Sequence, residues 1–403
     1  MTTAIATDLL TPLGAYLRLR EGARASFLLE SVERGRLGRY SFVGSGSRIV
    51  YVNEAEAAGL PVVGYVGYDW VAKLEPTVPL PDEGPGLPES RFVVADTLIR
   101  FDHVRGIAEV LHGDADALDG PQPPVPRGNG ARGALRRFPE QREHERRIER
   151  AKEYIRAGDA FQIVVSQRAA RPTSASALEL YRALRRVNPS PYLFLLELDG
   201  LSLIGSSPET VVKCDGRRAE VNPIAGSIAP GAGDAEALLS SEKDRAEHVM
   251  LVDLGRNDLS RVCKPGTVRV ERFLEPERFS HITHLVSEVA GELRDGVTAF
   301  DLLRACFPAG TVSGAPKIRA MQIISELEGY RRGVYAGAVG YALPGGALDT
   351  CIAIRTMVLR DGVALLQAGG GIVADSDPAE EHQECLNKLA ALEAAIELAE
   401  AEQ

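Results

Sequence analysis

Carboxylates set in apolar surroundings pose the chemical question for this chain. In RAEHVMLVDLGRNDL (245–259), Glu247 precedes an apolar block of Val249, Met250, Leu251, Val252 and Leu254. A helix that apolar on one side is buried, so Glu247 stands at a boundary where a carboxylate needs a cation or hydrogen-bond donors. Two readings are open: a first-turn glutamate favoured by the helix dipole, or a metal ligand. A second carboxylate has to decide between them. Near the C-terminus Glu384 and Lys388 lie four apart, the spacing of a helical ion pair, with Glu380 and Glu381 one turn earlier. Ahead of them stands Gly369-Gly370-Gly371, and glycines let backbone N–H groups approach an anion closely. A glycine turn feeding a helix that carries a carboxylate and an ammonium is expected to take part in anion binding.

Three further motifs carry polar chemistry. AGTVSGAPK (309–317) fails the nucleotide phosphate-loop pattern, because no Lys-Ser/Thr follows its second glycine. Its hydroxyls, Thr311 and Ser313, still suit a carboxylate ahead of a helix. His281 and His284 are three apart but have neither an HExxH frame nor a nearby cysteine, so hydrogen bonding is expected rather than zinc. Glu209, after Ser206-Ser207-Pro208, reads by itself as a loop glutamate.

These residues need elements to position them. The polar SSEKDRAE run starts a helix over about 241–255, with Gly255 as its stop. Residues 1 to about 110 alternate apolar runs with turns, as in 26–31, 39–44, 47–52, 62–70 and 90–102, and read as mostly antiparallel strands. The proline-rich 75–90 is a surface loop, and 112–134 is the best linker. After Pro139 comes a charged amphipathic helix with Ile148, Ala151 and Ile155 on one stripe and a Gly158 stop. Phe161–Ser166 is a short buried strand. A helix over about 176–187 precedes paired strands in YLFLLEL and GLSLIGSS, and further helices are expected near 298–306 and 316–328. Asp349–Leu359 and Val363–Gln367 form a hairpin closed by Asp361-Gly362. The last helix has Asp377 as N-cap and Pro378 at its first position. Mixed order without a fixed repeat indicates α+β.

The bulk properties narrow the class. The chain has 403 residues, 45% hydrophobic and 25% charged, which suits a large globular core. Its net charge of −10 argues against nucleic acid and anionic membrane as partners. If the substrate is an anion, local cations must overcome that field. No apolar run approaches the roughly 20 residues of a membrane span, and the first residues lack a signal-peptide pattern. Five dispersed cysteines with no CxxC pair point to reduced thiols and a cytoplasmic location.

Taken together, FQIVVSQR (161–168), NPSPYLF (188–194), GSSPE (205–209), PIAGS (223–227), AEHVMLVDLGRND (246–258), THLVSEV (283–289), AGTVSGAPK (309–317), VYAGAVGY (334–341), DTCIAIRT (349–356), QAGGGIVADSDP (367–378) and ECLNK (384–388) resemble the chorismate-utilising enzymes. The likeness is greatest to the large subunits of anthranilate synthase. LLES (28–31), GRYSF (38–42) and VGYVGYD (63–69) extend it into the N-terminal third. The resemblance implies an α+β chorismate-binding fold of antiparallel sheets sandwiched with outer helices. It also implies an N-terminal regulatory region over 1–111, a linker over 112–138 and a catalytic domain over 139–403.

Carried over residue by residue, the resemblance implies that Glu247 and Glu384 hold one Mg²⁺ ion facing the ring carboxylate of chorismate. Tyr335 and Arg355 would hold the enolpyruvyl carboxylate. Gly226, Ser227, Gly369, Gly370, Gly371 and Lys388 would complete the anion contacts. Glu209 would be the general acid for the departing 4-hydroxyl, with His284 and Thr311 beside it. Relatives that add water carry Lys where this chain has Gln162. Aminodeoxychorismate synthases carry Lys where it has Ala225, a position from which an amine can attack covalently. Both substitutions point to ammonia adding at C2 and to loss of pyruvate, in an anthranilate synthase of tryptophan biosynthesis. The alternatives are aminodeoxychorismate synthase, a 2-amino-2-deoxyisochorismate synthase, or a non-catalytic tryptophan-binding regulator.

No cysteine sits in a glutaminase-type motif, so a separate glutaminase subunit is implied as ammonia donor, with a heterotetramer as the expected assembly. Ser31, Pro191, Tyr192 and Leu193 match the family's tryptophan effector site. This chain departs from the usual pattern in Ser227 for Thr, Leu193 for Met, and SIAPGAG after PIAG. Its N-terminal region is also shorter than is typical.

Overall fold

The computed structural model describes residues 4–31, 37–119, 121–129, 132–228, 231, 233–278 and 283–402. Its frame is two antiparallel sheets, of 12 and 10 strands. Leu28, Phe27, Leu195 and Leu196 show why: alternating side chains of the paired strands Ala25–Glu30 and Tyr192–Leu198 bury on opposite faces. One face meets the second sheet, where Phe27, Phe194 and Leu196 pack with Val63, Tyr65, Val339 and Cys351. The other face meets helices Pro12–Leu19, Ala177–Val187 and Pro378–Ala401 through Tyr16, Leu28, Tyr181, Leu389 and Ile396. The second sheet is covered on its outer face by Val252, Leu259, Leu302 and Leu303 from helices Glu242–Ser260 and Ala299–Cys306. Fully burying each such leucine or isoleucine contributes roughly 1.5–3 kcal/mol before the chain entropy is counted. The expected α+β sandwich with outer helices is therefore present.

Local signals start most helices where expected. Ser176 and Glu179 form a reciprocal cap on Ala177–Val187. The Asp377 side chain accepts from the backbone of Ala379 and Glu380, and Pro378 opens the 24-residue final helix. Helix Gln141–Arg156 buries Ile148 and Ala151 on its apolar stripe. The 361–362 turn closes the hairpin of Thr356–Arg360 with Val363–Ile372, both central residues having positive φ.

Four expectations need correction. The helix begun at Ser241 does not stop at Gly255 but continues to Ser260. Gly255 serves packing instead, since a Cβ there would stand 2.9 Å from Val221 on the sheet beneath. The run 90–102 is two strands in different sheets, Ser90–Val94 and Thr97–Asp102. The run 349–359 also changes sheet, from Leu348–Ile352 to Thr356–Arg360. Finally, Gly369 to Gly371 form no turn. They lie inside strand Val363–Ile372, paired through Ser166↔Gly369, Val165↔Gly370 and Val164↔Gly371 with strand Gln162–Pro172, which is longer than the segment expected there.

Both sheets draw strands from before and after residue 112, so the N-terminal strands extend the same sheets that carry the rest of the chain. Among the described residues no helix is long and apolar enough to cross a membrane. All five cysteines are buried as free thiols.

Candidate active site

Gln162 opens its strand beside Gly371, and its amide donates to Glu247 Oε1 at 3.1 Å. A Cβ on Gly371 would meet that amide at 2.5 Å, so only glycine lets Gln162 lie across the neighbouring strand. Gly369 and Gly370 are constrained in the same way. A Cβ on Gly369 would stand 2.9 Å from the Tyr335 hydroxyl, and one on Gly370 would stand 2.7 Å from Glu381 Oε2. The three glycines thus keep a strand bare so that side chains from several elements can crowd it.

Lys388 donates to the Gly369 carbonyl at 2.8 Å and pairs with Glu384 at 2.5 Å. Glu384 is half exposed, whereas Lys388 is mostly covered. Glu247 belongs to a helix packed on the second sheet and Glu384 to one packed on the first. A chain of contacts runs between them: Glu247 to Gln162, Gln162 against Gly371, and Gly369 to Lys388 and Glu384.

Glu209 sits in the two-residue link between Leu201–Ser207 and Thr210–Asp215, where its carbonyl accepts from Ile352 N–H at 2.9 Å. Thr311 donates to its carboxyl at 2.9 Å from the AGTVSGAPK loop. Burial drives the Glu209 carboxyl up to about 8, against the opposing pull of the Thr311 hydroxyl and the charges of Lys388 and Arg355. Glu247 adds to the upward shift, so it too acts on Glu209. Arg355 occupies the crossing between sheets with φ of 51°, a left-handed conformation costly for a side-chain-bearing residue. Ser206 N–H donates to its carbonyl at 3.1 Å and helps hold that geometry. Burial lowers the Arg355 guanidinium, while Tyr335 and Glu384 favour its charge. Tyr335 is buried, and burial raises its hydroxyl.

His284 Nδ1 lies 2.9 Å from the Gly226 carbonyl, at a bulge where Gly226 has φ of 71°. Desolvation lowers this imidazole, keeping it neutral. Ser227 pairs with His284 in backbone register, and its side chain lies outside the described residues, as does His281.

One buried pair escaped sequence reading. Arg332 makes two hydrogen bonds to Glu328, at 2.6 and 2.9 Å, and donates to the carbonyls of Val312 and Val164. Glu328 also accepts from the backbone and hydroxyl of Ser166. The pair ties the Gln162 strand to the Thr311 loop and stands beside Tyr335. Its i,i+4 spacing looks like a surface ion pair in sequence. Glu381, seen there only as a neighbour of Glu384, aims at Gly370.

The donor set suits a hard divalent cation. Glu247 and Glu384 offer carboxylate oxygens, and no three His, Cys, Asp or Glu side chains group for a metal among the described residues. Mg²⁺ commonly uses one or two protein carboxylates and leaves its other positions to water and substrate.

A second cavity lies between the sheets. Ser31, Pro191, Tyr192 and Leu193 all line it, with Phe42, Lys213 and Asp349. The Ser31 hydroxyl is buried without a hydrogen-bond partner among the described residues. Tyr192 bonds Thr210 at 2.8 Å and Asp349 at 3.1 Å.

Two antiparallel sheets with outer helices thus hold the buried Glu209 beside Thr311, and the glycine strand between Gln162 and Lys388. Residues 17–394 match the model of the chorismate binding enzyme family, and the chain belongs to that family. Within it, the chain is 44% identical to the probable anthranilate synthase component 1 of Schizosaccharomyces pombe, over 98% of this chain and 92% of that one. Anthranilate synthase component 1 of Thermus thermophilus is also 44% identical, over 98% and 97% of the two chains. The solved anthranilate synthase component I of Streptococcus pneumoniae superposes with a TM-score of 0.80 at 34% identity, over 96% and 99% of the chains. The menaquinone-specific isochorismate synthase of Escherichia coli shares the fold, with a TM-score of 0.78 at 22% identity over 98% and 94%.

Proposed function

We infer that this chain is an anthranilate synthase component 1, converting chorismate and ammonia to anthranilate and pyruvate in tryptophan biosynthesis. The observation that carries the mechanism is the Glu209 carboxyl, held up to about 8 by burial with Thr311 as its donor. In that state it delivers a proton to the departing 4-hydroxyl at neutral pH. Tyr335, Arg355 and Lys388 receive the substrate's negative charge within a chain of net charge −10. Glu247 and Glu384 are the residues that would hold Mg²⁺, whose positive charge would offset the ring carboxylate.

Gln162 carries no base at neutral pH. Held against Glu247, it orients ammonia for attack at C2 rather than activating water. Pyruvate loss then forms the aromatic ring. Ammonia reaches the site from a glutaminase partner subunit, in a cytoplasmic heterotetramer. The decisive assay supplies chorismate, ammonium and Mg²⁺. Anthranilate fluorescence is expected, whereas accumulation of another amino product assigns the chain to aminodeoxychorismate or 2-amino-2-deoxyisochorismate synthesis.

Two substitutions probe the finer reading. Gln162→Lys places an amine beside Glu247 that in its neutral form can take a proton from water, and is expected to divert part of the turnover to a hydroxylated product. An unchanged product spectrum removes Gln162 as the discriminator. The inter-sheet cavity is the proposed L-tryptophan site, with the Ser31 hydroxyl, which has no partner among the described residues, meeting the effector. Ser31→Ala is expected to raise the half-inhibiting tryptophan concentration about tenfold, the loss of one hydrogen bond to a charged group. Equal inhibition of both proteins rejects that contact.

A further inference from the structure

We propose that this chain carries a third small-molecule site, for an apolar monocarboxylate, in the cavity closed by Arg168, Tyr330 and the proline-rich loop. The cavity measures about 330 Å³, within the range of ligand pockets. Its floor is the sheet face of Ala170, Val358 and Leu365, and its roof is Pro85 and Leu87. Glu209, Glu247, Glu384 and Lys388 take no part in the lining. Tyr335 alone among the candidate site residues borders it, and its hydroxyl lies by Gly369. The tyrosine thus forms a wall between the two spaces.

Charge in this cavity is unbalanced. The Arg168 guanidinium lies 3.3 Å from the Tyr330 ring centroid and 5.7 Å from that of Phe138. No carboxylate among the described residues reaches it within ion-pair distance. Glu83 and Glu328 act on it only through space, and Glu328 is already engaged by Arg332. Arg331, also at the rim, donates to the Pro81 carbonyl at 2.6 Å and has no ion pair among the described residues. A guanidinium stacked on an aromatic ring keeps its edge N–H donors free, in the fork that fits a carboxylate. A guanidinium fixed on an aromatic ring beside an apolar wall, with Arg331 at the rim, selects a carboxylate on an apolar body. A polyanion would leave charge unpaired against Val358 and Leu365, and a neutral ligand would leave the guanidinium unmatched.

Calorimetric titration of the full chain with sodium benzoate tests the site. Because benzoate also carries the ring carboxylate proposed for the active site, the chain is first saturated with chorismate in the absence of ammonium, and saturable benzoate binding is still expected. Arg168→Gln should weaken it at least tenfold, and Arg168→Lys should restore part of the affinity. Ala170→Phe fills the cavity with the charge intact and should also abolish binding, which covers the case in which Arg168→Gln disturbs folding. Absence of benzoate binding to the chorismate-saturated chain, or benzoate affinity unchanged in both Arg168→Gln and Ala170→Phe, would each overturn the proposal.

Discussion

Glu209→Gln is expected to lower chorismate turnover by about 10²–10⁴-fold, the range for loss of a positioned general acid. Glutamine preserves the shape and can still accept the Thr311 hydroxyl at the position now held at 2.9 Å. What it lacks is a transferable proton. The pH profile separates proton donation from mere packing. Burial raises the Glu209 carboxyl from its ordinary 4.5 to about 8, so the protonated acid is present at lower pH and lost as pH rises through that value. Turnover of the unsubstituted enzyme should therefore fall on the alkaline side, with a nearby divalent cation drawing the limb downward. Glu209→Gln should retain only a low rate without that limb. The same shift favours the fold below pH 4.5, and its contribution fades as pH climbs towards 8. Near-normal rates in the variant would leave the 4-hydroxyl without its proposed acid.

Glu384→Gln is the second large effect, at least about a hundredfold in Mg²⁺-dependent turnover, since a bound metal supplies several kcal/mol of charge stabilisation. Glu384 is half exposed, and its ionic partner Lys388 keeps a separate bond to Gly369, so the fold should survive. Thermal unfolding should stay near that of the unsubstituted chain, while the Mg²⁺ concentration for half-maximal activity rises. Glu247→Gln should produce the same displacement, although its carboxylate sits on a different helix and is held by Gln162. If either variant titrates with Mg²⁺ like the parent, that residue is not a ligand.

The buried Arg332–Glu328 pair illustrates why such sites resist reading from sequence alone. Their i,i+4 spacing resembles any solvated helical pair, and the Gly329 end of the helix hides that both lie in the interior. Only assembly reveals that Arg332 also caps the carbonyls of Val164 and Val312. Gly255 teaches the complementary lesson. A glycine at the end of an apolar run is a common helix stop, yet the sheet beneath Val221 required close approach and the helix ran on.

The amino-acid sequence by itself determined many of the strands, most helix starts and the family, and it supplied the polar residues proposed for the site. Those properties follow from side-chain alternation, from caps such as Asp377-Pro378, and from motifs whose residues are near neighbours in the chain. Tertiary structure alone decided that 90–102 and 349–359 each change sheet, that Gly369 to Gly371 are a bare strand, and that Arg168 faces a cavity with no counter-charge among the described residues. It also brought Ser31 to Tyr192, and set Glu209 where burial keeps its proton. Desolvation and shape belong to pairs of surfaces that meet only on folding, and no local run of residues encodes them.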